Sequence, residues 1–147
     1  MGFGFKADEK IQRIAEAFTL DMVEFAQMNY RIELNLTESS IQHIEAIAAN
    51  LHDWLPTSNP SENQIFLFAK MLGSYVGEVF RLTHGATWGI VAMDDQDFPG
   101  MQCHHTKAVF WPWGRAQNRI VDGPENNILH YYLSLIPDEV HGTEPMK

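Results

Sequence analysis

The sequence predicts an α+β fold: helices packed around a long central helix, with a small antiparallel β-meander alongside. Three observations carry this. Residues 61–88, SENQIFLFAKMLGSYVGEVFRLTHGATW, read as one helix that is apolar nearly all round, with Gly73 and Gly77 in its interior; a helix of that kind is the spine of a core rather than a surface element. Residues 88–111 switch to short β-type runs divided by turn residues. Amphipathic helical stripes stand on both sides of these two segments.

In chain order, Ile11, Ile14, Ala15, Phe18, Met22 and Phe25 recur at helical spacing and predict a helix over 7–28, with Asp8 and Glu9 suiting the positive end of its dipole. Tyr30, Ile32, Leu34 and Leu36 then alternate with polar residues, the pattern of a short strand or extended connection. Thr37 is a good N-cap for a second helix over 38–52, with Ile41, Ile44, Ile47, Ala48 and Leu51 inward; Trp54 and Leu55 close it and Pro56 blocks its continuation. Ser61 and Gln64 form a capping box that opens the third helix, and Gly85 is placed to end it. Residues 88–93, 101–105 and 108–111 are strand candidates, with DDQDFPG (94–100) as the intervening turn. A short helix over 113–121 follows. Pro124 starts another, with Ile128, Leu129, Tyr132, Leu133 and Ile136 as its buried stripe and Pro137 as its stop. The expected organisation is one α+β domain over 1–137 and a polar, frayed tail over 138–147.

The chain has 147 residues, a formal charge of −9 and a single cysteine, Cys103. Its size suffices for a core without metal or disulfide staples, and the lone cysteine fits a reducing compartment. The opening MGFGFKADEK lacks the apolar run of a signal peptide, so a cytoplasmic location is expected. No window approaches the roughly 18 apolar residues of a membrane span. The acidity disfavours nucleic acid and favours a basic protein partner through complementary fields.

Three blocks occur in sequence: LNLTESSIQHIEAI, LGSYVGEVFRLTHGATWG and RIVDGPENNILHYY. In their order and spacing they resemble a widespread group of small bacterial α+β proteins of unknown function. That group carries a Leu-x-x-Ser/Thr helix start (here Leu34 and Thr37) and a Leu-Gly-x-Tyr-x-Gly-Glu helix (Leu72, Gly73, Tyr75, Gly77, Glu78). A Gly-x-x-Trp strand follows (Gly85, Trp88), and an Arg-Ile-x-x-Gly-Pro-Glu segment comes near the end (Arg119, Ile120, Gly123, Pro124, Glu125). The resemblance implies a single α+β unit and brings no activity with it.

Several constellations bear on chemistry. Gly73-Ser74-Tyr75-Val76-Gly77 has the wrong spacing and the wrong setting for a hydrolase elbow. Ser74, Glu78, Arg81 and His84 fall along one side of the central helix, either as a polar cleft in which Glu78 is an acid or base or as an ion pair on a polar stripe. The two helix glycines mean either room for a ligand or close packing. Cys103, His104 and His105 lack metal-site spacing, and Asp94, Asp95 and Asp97 lack the rest of a calcium loop. Phe110-Trp111-Pro112-Trp113 with Arg115 and Arg119 is the best candidate surface, since Trp and Arg are enriched at binding hot spots.

The function expected from these readings is a non-catalytic intracellular protein-binding module of the immunity or inhibitor type, acting on a basic partner. No catalytic residue, metal or cofactor is assigned, and the binding residues are Trp111, Trp113, Arg115, Arg119, Glu78, Arg81, His84 and Trp88. The alternative is a small enzyme or ligand-binding domain with a pocket near Glu78, Arg81, His84 and Trp88. Homo-oligomerisation through the strand edge after Trp111 is a third option.

Overall fold

The computed structural model describes residues 3–136. The elements run β1 (Phe3–Ala7), α1 (Glu9–Tyr30), α2 (Ile41–Ser58), α3 (Glu62–His84), β2 (Ala86–Met93), β3 (Gln96–Cys103), β4 (Val109–Phe110), α4 (Pro112–Asp122) and α5 (Ile128–Leu135). The strands form one antiparallel sheet in the order β1-β2-β3-β4. The fold is α+β, as expected. Among the described residues no helix is long and apolar enough to cross a membrane.

Helix α3 is the spine. The capping box is in place: Ser61 Oγ accepts from Gln64 N at 3.1 Å, and Gln64 Oε1 accepts from Ser61 N at 3.0 Å. Gly85, with φ of 89°, ends the helix. Every residue from Met71 to Phe80 is buried. α1 and α4 pack along it, and the sheet leans on it through Trp88 and Met101. The two interior glycines make these approaches possible. A Cβ at Gly73 would lie 2.6 Å from the carbonyl oxygen of Pro112, where α4 begins, and one at Gly77 would lie 2.4 Å from the Trp88 ring. The glycines serve close packing against backbone and indole.

Several elements differ from the sequence reading. An N-terminal strand, β1, precedes the first helix and pairs with β2 from Phe3↔Met93 to Ala7↔Gly89. Asp8 is therefore the N-cap of α1 rather than part of its first turn; its side chain accepts from Lys10 N and Ile11 N at 2.8 and 3.2 Å. Residues 31–37 form an irregular connection, with Arg31 and Leu36 at φ of 56° and 62°; such left-handed residues break a strand's pleat. The Leu36 N–H donates to the Tyr75 hydroxyl at 2.7 Å, which ties the connection to α3.

A 3-10 turn over Glu38–Ser40 precedes α2, and Pro56 lies inside the helix, which runs on to Ser58. So near the C-terminus a proline removes only one backbone bond. The stop comes instead from Asn59, left-handed at φ of 48°, whose N–H reaches Leu55 O at 2.9 Å. The turn expected over 94–100 is only Asp94 and Asp95, and Gln96–Cys103 is strand. Pro99 is tolerated because it pairs with Ile90 on one side, while β4 opposes only Met101 and Gln102 on the other. Pro124 opens a 3-10 turn rather than α5 itself, which Asn127 caps by accepting from His130 N at 2.9 Å. Leu133 faces outward while Ile128 and Tyr132 are buried. The expected stop at Pro137 and the tail over 138–147 lie outside the described residues.

Replacing Gly73 by alanine is expected to destabilise the protein by about 1–3 kcal/mol despite the better helix propensity, because the clash is with backbone. At Gly114 in α4, a Cβ would make only an ordinary contact at 3.7 Å, so Gly114→Ala should gain up to about 1 kcal/mol. Urea unfolding of the two variants checks the pair of opposite signs.

Candidate functional site: buried carboxylate clusters and an apolar groove

Three glutamates anchor polar clusters, Glu78 in the interior and Glu38 and Glu45 part-buried. Glu78, on α3, is 5% exposed. Its Oε2 accepts from Arg81 Nε and Trp88 Nε1, both at 2.8 Å, and its Oε1 accepts from Arg81 Nη2 at 2.9 Å. Arg81 also lies 3.7 Å from Glu16 on α1, and its bond to Glu78 raises its pKa further. The cluster thus joins α1, α3 and β2. Charges taken from water need such complete pairing.

Glu38 gathers a second cluster: its Oε2 accepts from His84 Nε2 and from the Tyr132 hydroxyl, the latter at 2.6 Å. Phe80 packs against both His84 and Tyr132. Glu45 gathers the third: it accepts from Arg119 Nε at 2.8 Å, while its other oxygen accepts from Ile128 N at the start of α5, also at 2.8 Å. Ser74, beside Glu78 in sequence, accepts instead from Trp113 Nε1 at 2.8 Å.

The eight expected binding residues are therefore distributed as follows. Glu78, Arg81 and Trp88 meet in one buried cluster, and His84 belongs to a different one. Arg119 is 3% exposed and paired with Glu45. Arg115 stacks over the Tyr131 ring at 4.3 Å and donates to Asn126 at 3.3 Å. Trp111 and Trp113 come together on a surface groove. At the β3–β4 turn, Cys103 is buried and His104 bonds to Thr87 at 2.7 Å. Among the described residues no group of three or more His, Cys, Asp or Glu is arranged to hold a metal ion.

The groove has a volume of about 380 Å³ and is walled by Phe66 of α3, Met93 of β2, Phe98 and Pro99 of β3, and Trp111, Trp113, Gly114 and Gln117 at the front of α4. That volume lies in the range of small-ligand and side-chain pockets. Past Phe66 and Gln117 it continues into a second hollow of about 490 Å³, bounded by Glu62, Asn63, Ile65 and Val121. Exposed Asp94 and Asp95 follow the wall residue Met93 at the hairpin tip, and Glu62 bounds the second hollow. Sequence reasoning found the two tryptophans and missed the rest of the wall. Phe98 and Pro99 were masked by their turn-like neighbours, although Phe66 and Leu67, apolar on the first turns of α3, signalled an unburied apolar face.

No family model matches the chain, and no curated protein matches it. Among solved structures, a protein from Bacteroides thetaiotaomicron VPI-5482 is similar, with a TM-score of 0.64 at 12% identity over 91% of this chain and 47% of that one. This chain spans about half the length of that protein. The likeness is one of fold.

Two expectations follow from the buried clusters. Glu78→Gln removes the charge that pairs with Arg81 and should cost about 1–3 kcal/mol in denaturant unfolding, whereas Glu9→Gln, at an exposed pair with Arg13, should leave stability unchanged. All four tyrosines, Tyr30, Tyr75, Tyr131 and Tyr132, are held above the ordinary phenol range, chiefly by burial; at Tyr132 the bond to the Glu38 carboxylate adds to it. A raised folded-state pKa means stability that is present below about pH 10 and lost as pH rises past it. Phenolate absorbance should therefore appear together with alkaline unfolding; a free phenol titration while the fold persists would contradict it.

Proposed function

We propose that this chain is a non-catalytic protein-binding module of the immunity or inhibitor type, working in the cytoplasm, whose trough takes an apolar side chain of a basic partner. The observation that carries the reading is the groove: an aromatic and aliphatic socket, with exposed Asp94 and Asp95 following its wall residue Met93 and Glu62 bounding the adjoining hollow. A socket of this kind suits a hot-spot anchor, and the acidic residues suit cationic flanks that steer the encounter.

The polar clusters support a binding role over a catalytic one. A general acid or base must reach a substrate proton, whereas Glu78 and Glu45 spend their oxygens on donors from the protein's own helices and sheet. The three sequence blocks that resemble the group of small bacterial proteins contribute scaffold in this reading: Gly73, Gly77, Glu78, Trp88 and Arg119 all pack or pair internally. The residues that wall the groove fall outside those blocks.

Affinity capture at low salt from the native cell is the test. A basic protein should be retained by the wild type and released by raised salt. Retention should fall about tenfold or more for Trp111→Ala and for the pair Asp94→Lys, Asp95→Lys, with circular dichroism confirming the folds. Retention of no partner, or of one indifferent to both changes, would refute the reading.

A further inference from the structure

Lys70 differs from the other part-buried cations of the protein. Arg81, Arg115 and Arg119 each have a carboxylate or amide oxygen in reach. The half-buried Lys70 has neither an ion pair nor a hydrogen-bond acceptor among the described residues, in a chain with 19 acidic residues against 10 basic ones. Its ammonium sits instead among three rings: 4.5 Å from the centroid of Phe66, 5.8 Å from Phe18 and 5.9 Å from Trp113. Ring faces offset part of the lost hydration, but they leave all three N–H donors without an oxygen. Phe66 and Trp113 are also walls of the groove. An unneutralised cation therefore stands against two of the rings that wall the socket.

We infer that the groove captures the C-terminus of the partner's chain. The last side chain is apolar and enters between Phe66, Phe98 and Trp111; its α-carboxylate pairs with Lys70; the residues before it are basic and meet Asp94 and Asp95. This rests on the reading of the groove as the basic partner's site. A chain end is the one part of a protein that carries an apolar side chain and a carboxylate on the same residue. An internal aspartate or glutamate would put the charge on a different side chain from the anchor, and more carboxylates near it would be repelled by Asp94 and Asp95. Capture of a terminal carboxylate is a recurring mode of peptide recognition.

The test uses a panel of hexapeptides, Arg-Lys-Arg-Gly followed by two apolar residues drawn from Leu, Ile, Met and Phe. Each is made as the free acid and as the C-terminal amide, and binding is followed by calorimetry and tryptophan fluorescence. 3-Phenylpropionate is the small-acid probe. The best free acid should bind the wild type about tenfold more tightly than its amide. Lys70→Gln should erase that preference and Lys70→Arg should retain it, with thermal melts showing both variants folded. Acid and amide binding alike, while Asp94→Lys with Asp95→Lys weakens both, would overturn capture of the terminus and leave the basic-partner groove standing. Binding by no peptide, or binding indifferent to Trp111→Ala, would overturn both. Binding of 3-phenylpropionate alone, lost in Lys70→Gln, would give the site to a small organic acid and overturn the inference.

Discussion

The close approach of α4 and the sheet to α3 is the constraint on which the rest of the structure depends. At Gly73 the start of α4 comes so near that its backbone occupies the space of a side chain, and at Gly77 the Trp88 ring does the same. Interior helix glycines are unfavourable by about 1 kcal/mol each relative to alanine, and here that cost is offset by dense contact around ten consecutive buried residues. Once α4 is seated, Trp113 reaches Ser74 and its ring closes one side of the groove. Once Trp88 is seated, its indole N–H reaches Glu78. The groove and the Glu78 charge network are both consequences of two missing methyl groups.

The carboxylate clusters join the outer elements to the helices. Glu78 holds β2 to α3, Glu38 holds α5 to the end of α3, and Glu45 holds both α4 and the start of α5 to α2. Each glutamate takes donors from two residues, and none of these partnerships duplicates another. Apolar contact alone is non-directional; charge-assisted bonds select one arrangement among the many that a greasy rod would accept.

What the sequence made legible follows from how local each signal is. The ends of α3 were readable because its capping box and Gly85 lie within a few residues of the ends they mark. β1 was not, because FGFKA is short and runs directly into the cap of α1, and its partner β2 lies far along the chain. The first half of β3 was hidden by Asp97, Pro99 and Gly100, all residues typical of turns; only the register with β2 explains them. Glu78 and Arg81 could be paired from their spacing of three, whereas Glu38 meets His84 across 46 positions and Tyr132 across 94. Trp111 and Trp113 lay on the wall of the groove, but the groove takes walls from α3, β2, β3 and α4, and such convergence exists only in the folded chain.

The division between rod and trough bears on how such a protein changes over time. Side chains that hold the frame face inward from α3 and the three glutamates, whereas those that shape the trough come from the hairpin tip, the front of α4 and the first turns of α3. Trp113 belongs to both sets, since its indole also bonds to Ser74 of α3. The other outward positions of the trough can therefore drift while the packing around α3 is kept.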